Sequence, residues 1–324
     1  MDFNNKEVEW KVDNIPVCGT ITFPIDQNTH PAIVFVAGSG PTDRDWCSPL
    51  LPGKNGSGKL LAEYLASQGF VTIRYDKIAS GPHAQENVPK MIGKMSMKSH
   101  MDELIGAVKT VVETKNVDKN NLFVLTNSEG AIHALNYQLQ ADLKFKGLIL
   151  TGAPGRSIGE VARNQVVNQI TSLPNNETIL KGYDEAISSF EKGNSITPDP
   201  SLPEGIRILL QSLDNPINLP FTRELWTYNP SEYISKVKDP ILVIIGKKDL
   251  QVDWQADGKA LESVAGDNVS FVYPDNADHV LKFEDTPREK LTPQVSLRYN
   301  ASERKLDQEV TDATSNWLKN QSMA

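Results

Sequence analysis

Short, continuous apolar runs recur along the first half of the chain, each ending in glycine or polar residues. They cover residues 31–37, 70–75, 122–125 and 146–151. Runs of this length predict strands that are buried on both faces, as in a parallel sheet. The segments between them carry apolar residues at helical spacing, which predicts amphipathic helices packed against that sheet.

The two ends of the chain complete this pattern. Residues 8–12 and 17–23 alternate apolar and polar positions around a short turn, which predicts an antiparallel hairpin at the sheet edge. Apolar runs at 240–245 and 269–273 predict two further strands, and a closing helix follows them. The fold class is therefore α/β, a doubly wound and mainly parallel sheet with an N-terminal antiparallel hairpin.

Residues 155–232 break the alternation of strands and helices. They are helical in three pieces, at 161–170, 178–192 and 205–213, separated by loops that contain proline. Ligands bind at the carboxyl edge of such sheets, so we interpret this segment as a helical cap inserted over that edge. The core domain then consists of residues 1–154 and 233–324, and an irregular excursion at 77–99 is expected to shape the pocket.

One serine lies at the apex of a predicted strand, tight turn and helix. The apolar run at 122–125 leads into Thr126-Asn127-Ser128-Glu129-Gly130, and a helical pattern starts at once. This arrangement is typical of a nucleophile elbow, where a strained turn exposes the serine hydroxyl. The usual pattern is Gly-x-Ser-x-Gly, and Thr126 replaces its first glycine.

A serine hydroxyl needs a histidine base, and the histidine needs a carboxylate that orients it. In elbow-containing folds the chain order is serine, acid, histidine. Asp249 directly follows the strand at 240–245, and His279 follows the last strand. We therefore predict a catalytic triad of Ser128, Asp249 and His279, with Asp253 as the rival acid.

The other histidines are less suitable as the base. His30 precedes a buried strand at its amino end, and His133 is predicted to turn away from Ser128 along the helix. His100 opens a helix and is expected at the surface, whereas His83 lies in the excursion and could line a pocket.

An acyl transfer also requires two N–H donors for the developing oxyanion. One is expected from Glu129, directly after the nucleophile. The other is expected from the glycine-rich turn after residue 37, where Ser39 is the first choice and Gly40 the second.

Residues 53–59 match most of a phosphate-binding loop, Gly-x4-Gly-Lys. Leu60 occupies the position where a Ser or Thr hydroxyl would reach Mg²⁺, so we favour a flexible loop before a helix. The sequence contains neither paired histidines at helical spacing nor a Cys-x-x-Cys, so no metal and no cofactor are predicted.

Composition narrows the class further. The 324 residues are 39% hydrophobic and 23% charged with a net charge of −8, and no basic block indicates nucleic acid or a membrane surface. Two cysteines and no visible signal peptide favour a cytoplasmic location, although a secreted chain trimmed to its mature form would look the same. The oligomeric state is left open.

With these residues in place, the chain resembles the α/β-hydrolase superfamily from about residue 8 onward. The segment Gly38-Ser39-Gly40-Pro41-Thr42-Asp43-Arg44-Asp45 is similar to the Gly-Ser-Gly-Pro-x-Asp-Arg-Asp segment of a bacterial carboxylesterase branch. Relatives commonly carry an Arg-Gly pair just after the strand that ends at Asp76, where this chain has Asp76-Lys77-Ile78-Ala79-Ser80-Gly81. We expect Asp43-Arg44-Asp45 to form a local cluster of ion pairs.

The resemblance implies hydrolysis of carboxylic esters, with short acyl chains expected, through an acyl-serine intermediate. A small-molecule ester is the expected partner. Two alternatives stay open: a hydrolase of the same fold that cleaves amides or thioesters, and a binding protein that kept the fold without the activity.

Overall fold

Eight strands form a central sheet in the computed structural model, which describes residues 1–323. The strands are β1 (Phe3–Val12), β2 (Ile15–Pro24), β3 (His30–Val36), β4 (Val71–Tyr75), β5 (Val117–Asn127), β6 (Gly147–Thr151), β7 (Ile241–Ile244) and β8 (Val269–Val272). Their spatial order is β1-β2-β4-β3-β5-β6-β7-β8. β2 is antiparallel to both β1 and β4, and every pair from β4 onward is parallel. The predicted fold class is confirmed.

Helices cover both faces of the sheet, as the buried strands require. They are α1 (Ser57–Ser67), α2 (Ala84–Asn87), α3 (Met97–Val112), α4 (Gly130–Gln140), α5 (Ile158–Ile170), α6 (Asn176–Glu191), α7 (Glu204–Leu213), α8 (Phe221–Trp226), α9 (Pro230–Ile234), α10 (Ala256–Glu262) and α11 (Gln308–Met323). Successive residues of β3 point to opposite faces, so Ile33 packs in the core under α1 and α11, whereas Val34 packs in the core under α3 and α4.

The N-terminal hairpin is longer than the alternation at 8–12 indicates. β1 pairs with β2 from Phe3 onward, and polar side chains join the two strands in the added part. The hydroxyl of Thr20 donates to Glu7 at 2.7 Å and that of Thr22 donates to Asn5 at 2.6 Å. Cross-strand hydrogen bonds therefore extend the strand into a segment without apolar alternation.

The five helices α5 to α9 occupy the segment between β6 and β7. The three expected helices are present with slightly shifted ends, and the short α8 and α9 were not predicted. Much of the segment packs on itself, through an apolar cluster from α5, α6, α7 and the loop before α7. Its buried members are Val166, Ile170, Ile179, Tyr183, Leu202, Ile206 and Leu210.

The excursion at 77–99 contains the short helix α2, a 3₁₀ turn at Val88–Met91 and the start of α3. Asn87 fixes its course, because its side-chain amide donates to the carbonyls of Pro16 at 2.9 Å and Ile78 at 3.2 Å. A capping box of Ser96 and Ser99 then starts α3 at Met97.

The ion pairs of the segment around Arg44 are not local, and the expectation of a local cluster is wrong. Arg44 binds Asp76 at the end of β4 through Nε and Nη2, at 3.0 and 2.6 Å, and also reaches Glu7 on β1. Asp45 binds Arg74 on β4. These charges therefore tie the loop after β3 to the neighbouring strands, and Nε and Nη2 of Arg44 both donate to the same oxygen of the buried Asp76.

The glycine-rich residues 53–59 pack against the segment before α11. Gly53 bridges to Asn300, and the side chain of Asn55 donates to the carbonyls of Ala301 at 2.9 Å and Arg304 at 2.8 Å. The loop is therefore filled by protein contacts rather than open as a phosphate cradle.

Among residues 1–323, each helix is too short or too polar to span a bilayer.

Candidate active site

Ser128 occupies a strained turn between β5 and α4. Its φ is +54°, in the left-handed region that side chains rarely adopt, and its N–H donates to the carbonyl of Thr151 at 2.8 Å. The carbonyl of Ser128 accepts from Ala131 at 3.0 Å at the start of the helix. Neighbouring hydrogen bonds thus hold the backbone in an unfavourable conformation, as a nucleophile elbow requires.

Close packing accounts for the glycine that ends the elbow. A Cβ on Gly130 would lie 2.5 Å from the carbonyl oxygen of Val36 and 2.8 Å from that of Ala37. The amino end of α4 therefore presses directly on the backbone after β3. Gly38 is similarly constrained, because its Cβ would lie 3.2 Å from the Cβ of Ser128.

Thr126 fits the elbow because its side chain points toward β6. The residue is fully buried, and its hydroxyl donates to the carbonyl of Ile149 at 3.3 Å. The carbonyl of Thr126 in turn accepts from the hydroxyl of Thr151 at 2.6 Å. Two hydrogen bonds between β5 and β6 thus accommodate a threonine at the position of the first motif glycine.

Asp249 and His279 form a buried hydrogen-bonded pair. Nδ1 of His279 lies 2.8 Å from Oδ2 of Asp249. The other carboxylate oxygen accepts the N–H groups of Gln251 at 2.7 Å and Val252 at 2.9 Å, so the acid is fixed in orientation. A carboxylate held in this way keeps the proton of the imidazole on Nδ1 and leaves Nε2 to act as the base.

The histidine loop is joined directly to the elbow. The side-chain amide of Asn127 donates to the carbonyl of His279 at 3.0 Å. Gly152 lies beneath the ring, where a Cβ would come within 3.4 Å of Nδ1. Within residues 1–323 the hydroxyl of Ser128 makes no hydrogen bond, to His279 or to any other group. Such contacts often close only when substrate is bound.

Burial and charge act in opposite directions on His279. Burial by itself lowers the pKa of its imidazole, but the charge of Asp249 and the hydrogen bond to it outweigh burial. The net result is a pKa raised above the ordinary histidine value. Stabilisation of the protonated ring is the property that a general base needs after it accepts a proton.

The other acids near these loops have different partners. Asp253 lies just before α10, accepts the N–H groups of Gln255 and Ala256 at 2.9 Å each, and pairs with Arg288. Asp278 accepts the N–H of Val280 at 3.0 Å within the turn that carries His279. The rival acid is therefore placed away from the imidazole.

Among residues 1–323, several backbone N–H groups near Ser128 are free, including that of Gly40, the second choice for the oxyanion hole. Those of Ser39 and Glu129 have no hydrogen-bond partner within the described residues. The peptide that contains the Ser39 N–H is held from its other side, because the ammonium group of Lys77 donates to the carbonyl of Gly38. A peptide whose carbonyl is bound in one direction presents its N–H in the opposite direction.

Buried charged groups surround this point, and sequence reasoning missed them. Glu129 points to His133, with Oε1 3.2 Å from Nε2. Burial alone would raise the pKa of Glu129, but the contacts with His133 and the charge of Lys77 lower it to about 2. Burial lowers the pKa of Lys77, although the carboxylates of Glu129 and Glu103 oppose that change.

The prediction for His100 is wrong, and the possibility left open for His83 is not realised. His100 is buried rather than at the surface, and its Nδ1 lies 2.8 Å from Oε2 of Glu103, one helical turn along α3. His83 pairs with Glu9 at 3.1 Å on the hairpin surface instead of lining the pocket. The spacing of His100 and Glu103, three residues apart, was the available signal.

A cavity of about 630 Å³ lies over Ser128. The core contributes Ser39, His100 and Ser128, Lys77 comes from the start of the excursion, and the inserted helices contribute mainly apolar side chains. These include Ile158, Leu213, Phe221, Leu225 and Trp226. The excursion adds Ala79, Val88 and Met95, so both segments that were expected to shape a pocket line this one.

No family model matches the chain. A search of curated proteins found esterase EstD of Thermotoga maritima, 26% identical over 284 residues. The match covers 86% of this chain but 60% of the relative, so the chain spans about three fifths of that protein's length.

Solved structures share the architecture at low sequence identity. Est1E from Butyrivibrio proteoclasticus, with ferulic acid bound, matches with a TM-score of 0.58 at 15% identity over 98% of this chain and all of its own. The α/β hydrolase GrgF from a Penicillium species matches with a TM-score of 0.59 at 14% identity, over 99% of this chain and 100% of its own. At such identities the likeness establishes a common fold and leaves the chemistry to the site itself.

Proposed function

We propose that this chain, an α/β-hydrolase by fold, hydrolyses carboxylic esters through an acyl-serine intermediate. The observation that carries the proposal is the buried Asp249–His279 pair at 2.8 Å, joined through Asn127 to the strained turn of Ser128. A serine, a base and an orienting acid at three strand ends form the arrangement that acyl transfer needs.

In the proposed mechanism Ser128 Oγ attacks the ester carbonyl while Nε2 of His279 takes the hydroxyl proton. The same proton passes to the leaving alkoxide when the tetrahedral intermediate collapses to the acyl-serine. Water, deprotonated by His279, then attacks the acyl group, and the carboxylic acid leaves as Ser128 recovers its proton. Asp249 keeps the ring in the required tautomer, and these steps need no cofactor.

The N–H groups of Ser39 and Glu129 are proposed to form the oxyanion hole. Both are unpaired within the described residues, and Glu129 directly precedes α4, so the helix dipole also favours negative charge there. Gly38 allows close approach, since a larger residue would press on Ser128.

The inserted helices are proposed to act as a cap that closes the cavity over the substrate. A volume of about 630 Å³ and a largely apolar lining suit a small ester with a short acyl chain. The relative EstD is named an esterase, which favours an ester over an amide or thioester as the bond that is cleaved.

The direct test is to incubate the protein with a fluorophosphonate probe and, separately, with matched butanoyl esters, thioesters and amides. We expect labelling at Ser128 and fastest turnover of the ester. A folded protein that is neither labelled nor active would favour the binding-protein alternative, and fastest turnover of the amide or thioester would reassign the substrate.

Lys77→Met tests the proposed support of the oxyanion hole. Loss of the ammonium group frees the Gly38 carbonyl, so we expect kcat to fall by roughly ten- to a hundredfold with a smaller change in KM. Lys90→Met is the matched control, since Lys90 lies in the same segment and forms an exposed pair with Glu86. Equal kcat values for wild type and Lys77→Met would remove this role.

A further inference from the structure

We propose that the cavity over Ser128 contains a second recognition site, built on His100, for a hydroxyl group of the substrate. This inference rests on the proposed function, because it concerns the molecule that occupies the same cavity. It identifies a class of ester substrate, one that carries a free hydroxyl remote from the ester bond.

The His100 ring is fixed on several sides. Its Nδ1 lies 2.8 Å from Oε2 of Glu103, and the ring of Phe221 meets it edge-on with centroids 4.5 Å apart. The ring of His133 lies 4.7 Å away in a tilted arrangement. These contacts come from three helices, α3, α4 and α8, so the imidazole has little rotational freedom.

The free nitrogen of His100 faces the cavity. His100 is 7% exposed and lies among the residues that line the cavity together with Ser128. Its Nε2 has no hydrogen-bond partner within residues 1–323, and this atom remains accessible to solvent. An unpartnered, accessible ring nitrogen on a residue that is more than nine-tenths buried and lines a cavity is suited to bind a ligand group.

Glu103 determines which hydrogen-bonding character this nitrogen presents. The carboxylate is 1% exposed, and it also accepts the N–H of Ile78 through Oε1. Because a carboxylate has only acceptor atoms, its contact with His100 places the imidazole proton on Nδ1. Nε2 of the neutral ring then carries a lone pair and accepts a hydrogen bond.

The complementary ligand group is therefore a hydrogen-bond donor. A hydroxyl fits because it brings no net charge into a region that already contains the carboxylates of Glu103 and Glu129 and the ammonium of Lys77. The surrounding wall, with Phe221, Leu225 and Met95, is apolar, so the rest of the ligand is expected to be a hydrocarbon chain.

The test compares methyl esters of butanoic, hexanoic and octanoic acids, each with an unsubstituted, hydroxyl or methoxyl chain end. A second series carries the same groups on the alcohol of acetate esters. A methoxyl accepts hydrogen bonds but cannot donate one. At mildly alkaline pH we expect kcat/KM for the hydroxyl compound to exceed that for the methoxyl compound by about tenfold or more in one series.

Two variants distinguish recognition from mere packing. In Glu103→Gln the amide oxygen can keep the Ile78 contact while the amide nitrogen donates to Nδ1, which moves the imidazole proton to Nε2. Nε2 then donates a hydrogen bond, which a methoxyl oxygen can accept. The kcat/KM of the methoxyl compound is therefore expected to rise, and the ratio of the hydroxyl to the methoxyl value to fall. In His100→Phe the ratio is expected to approach one. His83→Phe, on the hairpin surface, is the control and keeps the wild-type ratio.

An NMR measurement reads the same site without catalysis. Nitrogen-15 spectra of the His100 ring are expected to place the proton on Nδ1 in the wild type and on Nε2 in Glu103→Gln. Hexane-1,6-diol should shift the Nε2 signal of the wild type, whereas its dimethyl ether should not.

A proton on Nε2 in the wild type, or equal turnover of both compounds in every series, would overturn the inference. Absence of any ester turnover with an intact diol response would overturn only the proposed function.

Discussion

Ser128→Ala is expected to abolish ester turnover while leaving the protein folded. The hydroxyl oxygen is the atom proposed to form the bond to the acyl carbon, and no neighbouring group can replace it. Loss of a serine nucleophile of this kind costs about 10⁶-fold in kcat. Turnover of p-nitrophenyl butanoate measures the effect, and circular dichroism with a thermal melt checks the fold.

Alanine at position 128 also removes the site of fluorophosphonate labelling. Ser263→Ala is the matched control, because that serine lies after α10 and its hydroxyl donates to the carbonyl of Ala260 at 2.8 Å. It should retain both labelling and turnover. If Ser128→Ala keeps most of the activity, the acyl-serine mechanism is wrong whatever the fold suggests.

Asp249→Asn is expected to lower kcat by roughly 10⁴-fold, the effect of the same change in serine proteases. The amide nitrogen can donate to Nδ1 of His279, which stabilises the tautomer with its proton on Nε2. That tautomer cannot take the proton of Ser128. The variant also loses the negative charge that stabilises the imidazolium after proton transfer.

The pH profile adds a direction to this prediction. Ester hydrolysis needs neutral His279, so kcat/KM falls as pH decreases through the pKa of that residue. Because Asp249 raises this pKa, the acid limb of the wild type should lie above the ordinary histidine range. In Asp249→Asn the limb of the residual activity should move to lower pH.

Asp253→Asn tests the rival acid in the same assay. Asp253 lies just before α10 and pairs with Arg288, so its substitution should leave the position of the acid limb unchanged. A shifted limb in Asp253→Asn, with none in Asp249→Asn, would exchange the two assignments.

Local pattern was sufficient to predict the sheet and to nominate the candidate site residues. Buried strands are recognisable as continuous apolar runs, and the parallel arrangement brings their carboxyl ends to one edge. Chain order alone therefore nominated Ser128, Asp249 and His279, and the structure places Asp249 against His279. The α/β-hydrolase superfamily suggested by the elbow is confirmed at the level of the fold, whereas the carboxylesterase branch stays a prediction.

Contacts between distant segments could not be predicted. His100 lies in the first turn of α3, where a side chain is expected to be exposed to solvent when only the sequence is considered. It is buried because Phe221 and His133 pack on its ring. Arg44 similarly reaches Asp76 and Glu7 rather than its sequence neighbours, since β4 and β1 pass close to the loop only in the folded chain.

The separate apolar cluster of the inserted helices has a consequence for how this protein can change. Residues such as Tyr183 and Leu210 pack with other members of α5, α6 and α7, apart from the two cores that flank the sheet. These buried residues do not line the cavity themselves, but they support Leu209, which does. Substitutions there can therefore move the cavity wall without weakening the strands that carry Ser128, Asp249 and His279. Phe221 and Leu225 line the cavity and also belong to one of the sheet cores, so changes there affect both. A library confined to residues 161–213 avoids them and should yield altered substrate preferences at little cost in expression.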